Sequence, residues 1–545
     1  MILAQAPVAP TDIAWSTFAP ELVVLAVALV LMLLAVAGRR RMLVAVPVAV
    51  VGAAVGVLLM GADHTAPGII AIILSAGTLA ATVGLAASPP TLHAWIGGLG
   101  AAGALAMTVW QAAVPMDVSE AGLLVQTAME GSVALDGVAL FTRITVYATT
   151  LLVLPLGHAY LRERQVHRAE FEPLLLLSAA GMAVLGSAND FITIFVGLEV
   201  LSISLYVLAG IARRDRRSQE AAIKYFVMGA VASAILLYGM ALLYVTTGSL
   251  DLPGVGEALG LFDTNYRVSV IGMVLVTVGL GFKVALVPFH LWTPDVYEGA
   301  PTNVTAFMAA ATKAAGFAAM LRIFLLAFGV YDELWVPVIA VLAAVSMIYG
   351  AIVGIIQQDV KRILAYSAIA HAGYAAIGVA SASGEGISAT LWYLLTYAVS
   401  TLAAFGAVIA IERQNQRTVT LADLRGLGRT SPALAGLLTV ALLSLAGIPP
   451  TAGFIGKLQV FTAGVEAGLQ WLVVIGVASS VIAAFYYLRL MGMMFLEEPE
   501  EGVGEPAYST GWSLAVNLSA ALVVYLGLQP TLLLDLASKS AELAR

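Results

Sequence analysis

Residues 279–303 read GLGFKVALVPFHLWTPDVYEGAPTN, and their reading decides the fold. An apolar run carries one lysine, Lys283, and then meets Pro288, which removes a backbone hydrogen bond and crowds the carbonyl of Val284. The helix is therefore expected to open within a turn of Lys283, with His290 in the opened segment. Lipid offers no partner to freed backbone groups, so an interrupted helix at membrane depth must line a cavity or be buried in protein. A second stretch, LAGIPPTAGFIGKLQVF (445–461), has the same character: Pro449, Pro450, Gly453 and Gly456 precede Lys457 and should interrupt that helix too. Two such breaks, one in each half of a chain, point to an inverted-repeat transport site. GLGFK itself is no phosphate loop, because it follows no strand and lacks the spacing.

The rest of the chain supports a membrane reading. Of 545 residues, 61% are apolar and only 11% charged, against roughly a quarter charged in soluble proteins. Sixteen spans are expected, near 20 to 37, 43 to 62, 68 to 87, 92 to 113, 138 to 160, 171 to 187, 190 to 210, 221 to 246, 268 to 290, 303 to 328, 335 to 356, 363 to 381, 388 to 411, 433 to 466, 471 to 491 and 512 to 532. Runs this long exclude a barrel, whose segments alternate over about ten residues. The fold class is an all-α polytopic bundle. Residues 171–328 and 335–491 form two five-span halves by span count and breaker position, preceded by 1–133 and a lead-in helix at 134–170, and followed by 492–545.

Charge sets the expected orientation. Met1 to Pro20 holds no Lys or Arg, so the first span has no signal-peptide n-region. With strict alternation, Arg39, Arg40, Arg41, Arg162, Arg164, Arg168, Arg213, Arg214, Arg216, Arg217, Lys361, Arg362, Arg413, Arg417, Arg425, Arg429 and Arg489 all fall in loops on one side. That side is the cytoplasm, which puts both termini outside. A net charge of -7 leaves no basic surface for nucleic acid, and the absence of Cys rules out thiolate-held metal or iron–sulfur clusters in this chain.

Lysine usage is the sharpest signal. Four of six lysines, Lys224, Lys283, Lys313 and Lys457, sit within apolar stretches while arginine fills the loops. A charge at the helix centre costs about 2.5 to 3.5 kcal/mol facing lipid, so these lysines must face protein or water. A lysine can carry a proton and then lose it, whereas a guanidinium stays charged. The bland alternative is that they pair with acids or snorkel, and snorkelling is the reading for Arg143 and Arg322 near span ends. Glu199, in NDFITIFVGLEVLSISLYVLAG, is an acid deep in an apolar span and a countercharge for a lysine, with Asn189 and Asp190 as helix caps. His371, in RILAYSAIAHAGYAAIGV, is either a packed group or a shuttle between Lys313 and Lys457.

LEVLSISLYVLAG, QEAAIKYFVMGA, GFKVALVPFHLWTPDVYEGAPTNVTAF, ATKAAGF, VKRILAYSAIAHAGY and LSLAGIPPTAGFIGKLQVF together resemble the N-subunit family of proton-pumping NADH:quinone oxidoreductase, respiratory complex I. The resemblance covers about residues 135 to 530 and implies a fourteen-helix antiporter-like fold with two inverted five-helix repeats and two broken helices, here with two extra N-terminal spans. By motif, Glu199 and Lys224 resemble the family's ion pair of the first half-channel. Lys283 resembles the lysine of the first broken helix, Lys313 the connecting residue and Lys457 the lysine of the second; His290, placed in the opened segment by its position after Pro288 and not by the resemblance, is a candidate relay. The resemblance further implies a bacterial cell membrane, partner subunits of complex I that hold FMN, iron–sulfur clusters and quinone, no cofactor or metal here, and protons as the transported species. A subunit of a multi-subunit sodium/proton antiporter is the alternative.

Overall fold

The computed structural model describes residues 17–37, 89–113, 126–129, 131–164, 166, 168–261, 266–415, 418–499 and 508–543. The spans expected near 43 to 62 and 68 to 87 lie outside these residues. Each of the others coincides with a helix, or with two for 433 to 466. Among the described residues, eleven helices are long and apolar enough to cross a membrane.

In chain order α1 (Ala19–Ala37) and α2 (Pro89–Ala113) precede a small antiparallel hairpin, β1 (Gln126–Ala128) and β2 (Val133–Leu135), and α3 (Gly137–Glu163). Then come α4 (Phe171–Ser187), α5 (Phe191–Ala209), α6 (Arg216–Thr247), the short α7 (Leu252–Gly260), α8 (Tyr266–Val284) with its continuation α9 (Trp292–Gly299), and α10 (Thr302–Arg322), which runs on into a π-helical turn at Ile323–Ala327. They are followed by α11 (Asp332–Ile355), α12 (Val360–Ala380), α13 (Gly384–Asn415), the short α14 (Leu427–Thr430), α15 (Pro432–Ala446) with α16 (Ala452–Glu466), and α17 (Gln470–Leu496). After α18 (Thr510–Leu528) the tail forms α19 (Thr531–Leu543), which packs along α3 and α13.

Aspartates start the helices. Asp136 accepts from Ala139 N at 2.8 Å, Asp190 from Thr193 N at 2.8 Å and Asp359 from Arg362 N at 3.0 Å, so each carboxylate satisfies an amide that the first turn leaves open. Asn189 does not cap; its Nδ2 donates to Gly131 O at 3.0 Å and ties the hairpin to α5.

Two strand-like bridges close the helix pairs. Phe191 N donates to Leu250 O at 3.0 Å and Leu252 N to Asn189 O at 2.9 Å; in the second half Val360 N donates to Val419 O at 2.9 Å and Leu421 N to Gln358 O at 3.0 Å. The bridged residues, Asp190 with Asp251 and Asp359 with Thr420, are equally separated in sequence. They lie at opposite ends of the bundle. Helix α10 links those ends, since Thr302 bonds Glu412 at one and Arg322 Nε donates to Gly186 O at 2.7 Å at the other.

Burial grades inward. The central windows of α12 and α13 are wholly enclosed and that of α10 is 89% buried, whereas α6 and α17 have only 33% covered. Lipid gives helices no hydrophobic reason to associate, so close packing of small side chains must hold the centre. The alanines of α10, including Ala306, Ala309, Ala310 and Ala311, are fully buried.

Arg143 and Arg322 do not snorkel. Arg143 Nε lies 2.6 Å from Glu21 Oε1 with both side chains sealed between α1 and α3, and Arg322 pairs with Asp136 at 2.6 Å. Lys361 also departs from its expected place in a loop, for it is buried in the first turn of α12.

Candidate functional site

The first break behaves as the proline dictates. Helix α8 stops at Val284, Ala285 takes a positive φ of 64°, and α9 resumes at Trp292, leaving Pro288 and His290 in the open segment. Pro288 has no amide to give the carbonyl four residues back, so Val284 O is free to accept from elsewhere. Lys313 Nζ, from α10, takes that oxygen at 2.9 Å. The break is steadied by Trp292 Nε1, which donates to Phe282 O at 3.0 Å, and by Val287 N, which donates to Ser346 Oγ of α11 at 2.9 Å.

The second break has the same chemistry. Ala446 O stands four residues before Pro450, and Lys457 Nζ takes it at 2.8 Å while also donating to Ser480 Oγ at 2.7 Å. The Tyr374 ring lies 4.8 Å from the same nitrogen, within cation–π range. Gly453 and Gly456 do not interrupt the helix; both are inside α16. Their role is close packing, because a Cβ would stand 1.9 Å from Ser444 O at Gly453 and 2.7 Å from Thr396 Oγ1 at Gly456. The glycine that shapes the break is Gly447, with φ of 81° and room for Lys457 that a Cβ would fill.

Lys283 is buried and donates to Ser202 Oγ at 2.8 Å. Ser202 is one turn beyond Glu199 on α5, and the Glu199 carboxylate is close enough to act electrostatically on Lys283. A cavity of about 10 Å³, lined by Ser202, Tyr206, Gly229, Ser233 and Lys283 among others, adjoins the ammonium. That volume is about one water molecule. Glu199 is half-buried on an α5 stripe that is otherwise exposed and apolar (Ile192, Val196, Ile203, Val207), and its Oε1 has no hydrogen-bond partner among the described residues.

Lys224 stands apart from this arrangement. It is not sealed in the bundle and is not paired with Glu199: its side chain is 41% exposed, and Nζ is 2.7 Å from Glu220 and 2.6 Å from Asp295. The i, i+4 spacing to Glu220 and a position in the first third of α6, about two and a half turns past the cap at Asp215, explain the difference.

His371 is held between two phenols. Nδ1 lies 2.5 Å from Tyr393 OH and Nε2 3.3 Å from Tyr487 OH, and Tyr487 OH is in turn 2.5 Å from Ser367 Oγ. The Tyr374 ring, which also faces Lys457, is 5.7 Å from the imidazole. His290 is directed elsewhere, edge-on to Tyr349 of α11 at 4.7 Å.

The structure thus joins Glu199, Ser202 and Lys283 in one place, Lys313 to the first break, and His371, Tyr374 and Lys457 in another. Sequence reasoning missed Ser202, Asp295, Tyr374, Tyr393, Tyr487 and Ser480. Of these only Asp295 left a sequence signal, as an acid just beyond a proline break; the others are ordinary polar residues until the helices are packed.

Comparison with known proteins places the chain in a family. The profile of the NADH:quinone oxidoreductase/Mrp antiporter transmembrane family matches residues 188–483. NADH-quinone oxidoreductase subunit N 1 of Herpetosiphon aurantiacus is 44% identical over 396 residues, 72% of this chain and 81% of that protein. A chain of respiratory complex I from Thermus thermophilus, solved with aureothin bound, superimposes with a TM-score of 0.69 at 36% identity, covering 86% of this chain and 99% of the other. A chain of the Mrp complex from Dietzia sp. DQ12-45-1b gives 0.74 at 23% identity over 97% of each, which speaks to the fold alone. On these grounds the chain belongs to the NADH:quinone oxidoreductase/Mrp antiporter membrane-subunit family, alongside the subunit N proteins of NADH-quinone oxidoreductase.

Proposed function

We propose that this chain is the proton-translocating N subunit of a bacterial NADH-quinone oxidoreductase. Protons pass along a polar row of Glu199, Lys283, Lys313, His371 and Lys457, with Lys224 at its inner edge. The observation that carries the reading is that Lys283, Lys313 and Lys457 are all buried yet, among the described residues, hydrogen-bond only neutral oxygens, of Ser202, Val284, Ala446 and Ser480. A structural lysine at that depth would be expected to hold a carboxylate. Neutral acceptors suit a group that exists both with and without its proton.

The two bridges at opposite ends of the bundle support the reading of 171–328 and 335–491 as inverted halves, each ending its polar row at a helix break. Glu199 supplies negative charge beside Lys283, and a shift of that charge along α5 changes how firmly Lys283 holds its proton. Moving one proton against 100 mV takes about 2.3 kcal/mol, within reach of such a change. Redox chemistry, with FMN, iron–sulfur clusters and quinone, resides in partner subunits, in keeping with a chain that has no Cys. Both termini face the outer side.

The test is Lys283→Ala in the assembled complex, reconstituted in vesicles. Proton yield per NADH should fall; an unchanged yield would sink the reading. A tagged preparation that co-purifies flavin and iron–sulfur absorbance places the chain in complex I, and a colourless assembly with sodium-dependent proton exchange would make it an antiporter subunit.

A further inference from the structure

The motif VKRILAYSAIAHAGY contributes His371 to the row, but its two adjacent basic residues have no role there. Both reach out of the second half and grip the inner arm of the first broken helix. Arg362 NH1 lies 3.0 Å from Asp295 Oδ1 and 2.8 Å from Glu298 Oε2, two carboxylates three residues apart on α9. Lys361 Nζ, on the buried side, donates to Ala300 O at 2.7 Å, where the chain turns from α9 into α10. Asp295 is shared: its other oxygen, Oδ2, is 2.6 Å from Lys224 Nζ. Glu298 Oε1 in turn stands 3.9 Å from Arg217 at the start of α6. A continuous line of alternating charge therefore runs from Glu220 and Lys224 through Asp295, Arg362 and Glu298 to Arg217, and it crosses between halves at Arg362.

We infer that Arg362 and Asp295 are positioning residues for proton transfer, forming a clamp by which the second half sets the place of α9 and the charge beside Lys224. The geometry of the break depends on α9 because Trp292, at its first residue, donates to Phe282 O, next to Lys283. An isolated exposed ion pair would do little. Here one arginine nitrogen serves two carboxylates on one short helix, and one of those carboxylates also holds a cation of the first half. Lys224, held between Glu220 and Asp295, keeps its charge, so what varies is how Asp295 divides itself: when Arg362 is displaced by movement of α12, Asp295 turns wholly to Lys224. The inference rests on the reading of the polar row given above.

The test uses the intact complex in proteoliposomes, with Arg362→Gln, Asp295→Asn, the double variant and Arg362→Lys, beside Lys283→Ala as reference. Each is scored for subunit content of the purified complex and for proton translocation rate at equal complex. Arg362→Gln and Asp295→Asn should assemble normally and lose roughly fivefold in rate, the low end of couplings between sites. The double variant should be no worse than either single one, because the two act as a unit. Arg362→Lys should recover most of the rate, since a single ammonium nitrogen can stand in for the one guanidinium nitrogen that both carboxylates use. The proposal is overturned by an unchanged rate in the single variants, by a double variant that falls as the product of the two, or by Arg362→Lys as slow as Arg362→Gln. Loss of the subunit from the complex in both single variants would make the clamp a folding element and overturn it as well. If Lys283→Ala also pumps normally, the polar-row reading itself has failed; if Lys283→Ala alone is impaired, only the clamp has.

Discussion

Lys313 Nζ donates to the carbonyl oxygen of Val284 at 2.9 Å, across from α10 to the last residue of α8. The acceptor exists because α8 ends at Val284 and Ala285 turns the chain away with a positive φ, an ending that Pro288 enforces by barring a continued helix, so a proline in one helix helps determine where a lysine of another is held. Pro288→Ala removes the bar to a continued helix, in which residue 288 would offer that carbonyl an amide. Proton translocation in vesicles should fall while the amount of assembled complex stays unchanged, and an unaffected rate would show that Lys313 does not depend on the free carbonyl.

Gly447 makes the corresponding provision for Lys457. An alanine there must adopt a φ of 81° and would bring its Cβ to 2.7 Å from Lys457 Cδ. The backbone conformation alone costs about 1–2 kcal/mol, and the lysine must move. Gly447→Ala should lower both the melting temperature and the proton rate. Gly436→Ala, at a helical position with nothing within 4 Å of the new carbon, should leave both intact.

The Glu21–Arg143 pair is sealed, with side chains 1% and 0% exposed, and it fastens α1 to α3. Arg143→Gln strands a buried carboxylate, at a cost of about 3–5 kcal/mol. Limited proteolysis should then cut the N-terminal region sooner. Glu21→Gln combined with Arg143→Gln should regain much of the loss, because the uncompensated charge is gone.

Of the two phenols on His371, the one at 2.5 Å should matter more than the one at 3.3 Å. Tyr393→Phe is expected to slow proton translocation more than Tyr487→Phe, each removing a hydrogen bond worth about 1 kcal/mol. Equal effects, measured at matched complex content, would mean that the imidazole does not rely on the shorter contact.

What was legible in the sequence follows from how far each signal reaches. Pro288 and the buried lysines act through their own helices, so apolar periodicity and one missing amide were enough to place the first break beside Lys283. Glycine was ambiguous. Gly453 and Gly456 read as breakers, but a glycine also permits close approach, and only Ser444 and Thr396 on neighbouring elements show which use was made. The partner of Lys224 was equally out of reach, because choosing between Glu199 and Asp295 requires knowing how α6, α9 and α12 pack. Arg143 and Arg322 misled for a related reason: nearness to a span end suggests water, while the carboxylates that bury them come from α1 and from the turn before α3.

The paired bridges at Asp190 with Asp251 and at Asp359 with Thr420 have a mechanical consequence. Fastening the start of α5 to the segment after α6, and the start of α12 to the segment after α13, turns each antiparallel pair into a closed loop that resists shear. The two helix breaks, 285–291 and 447–451, lie outside both closed loops, and at each of them a lysine from another helix segment rests on a carbonyl at the end of the broken helix.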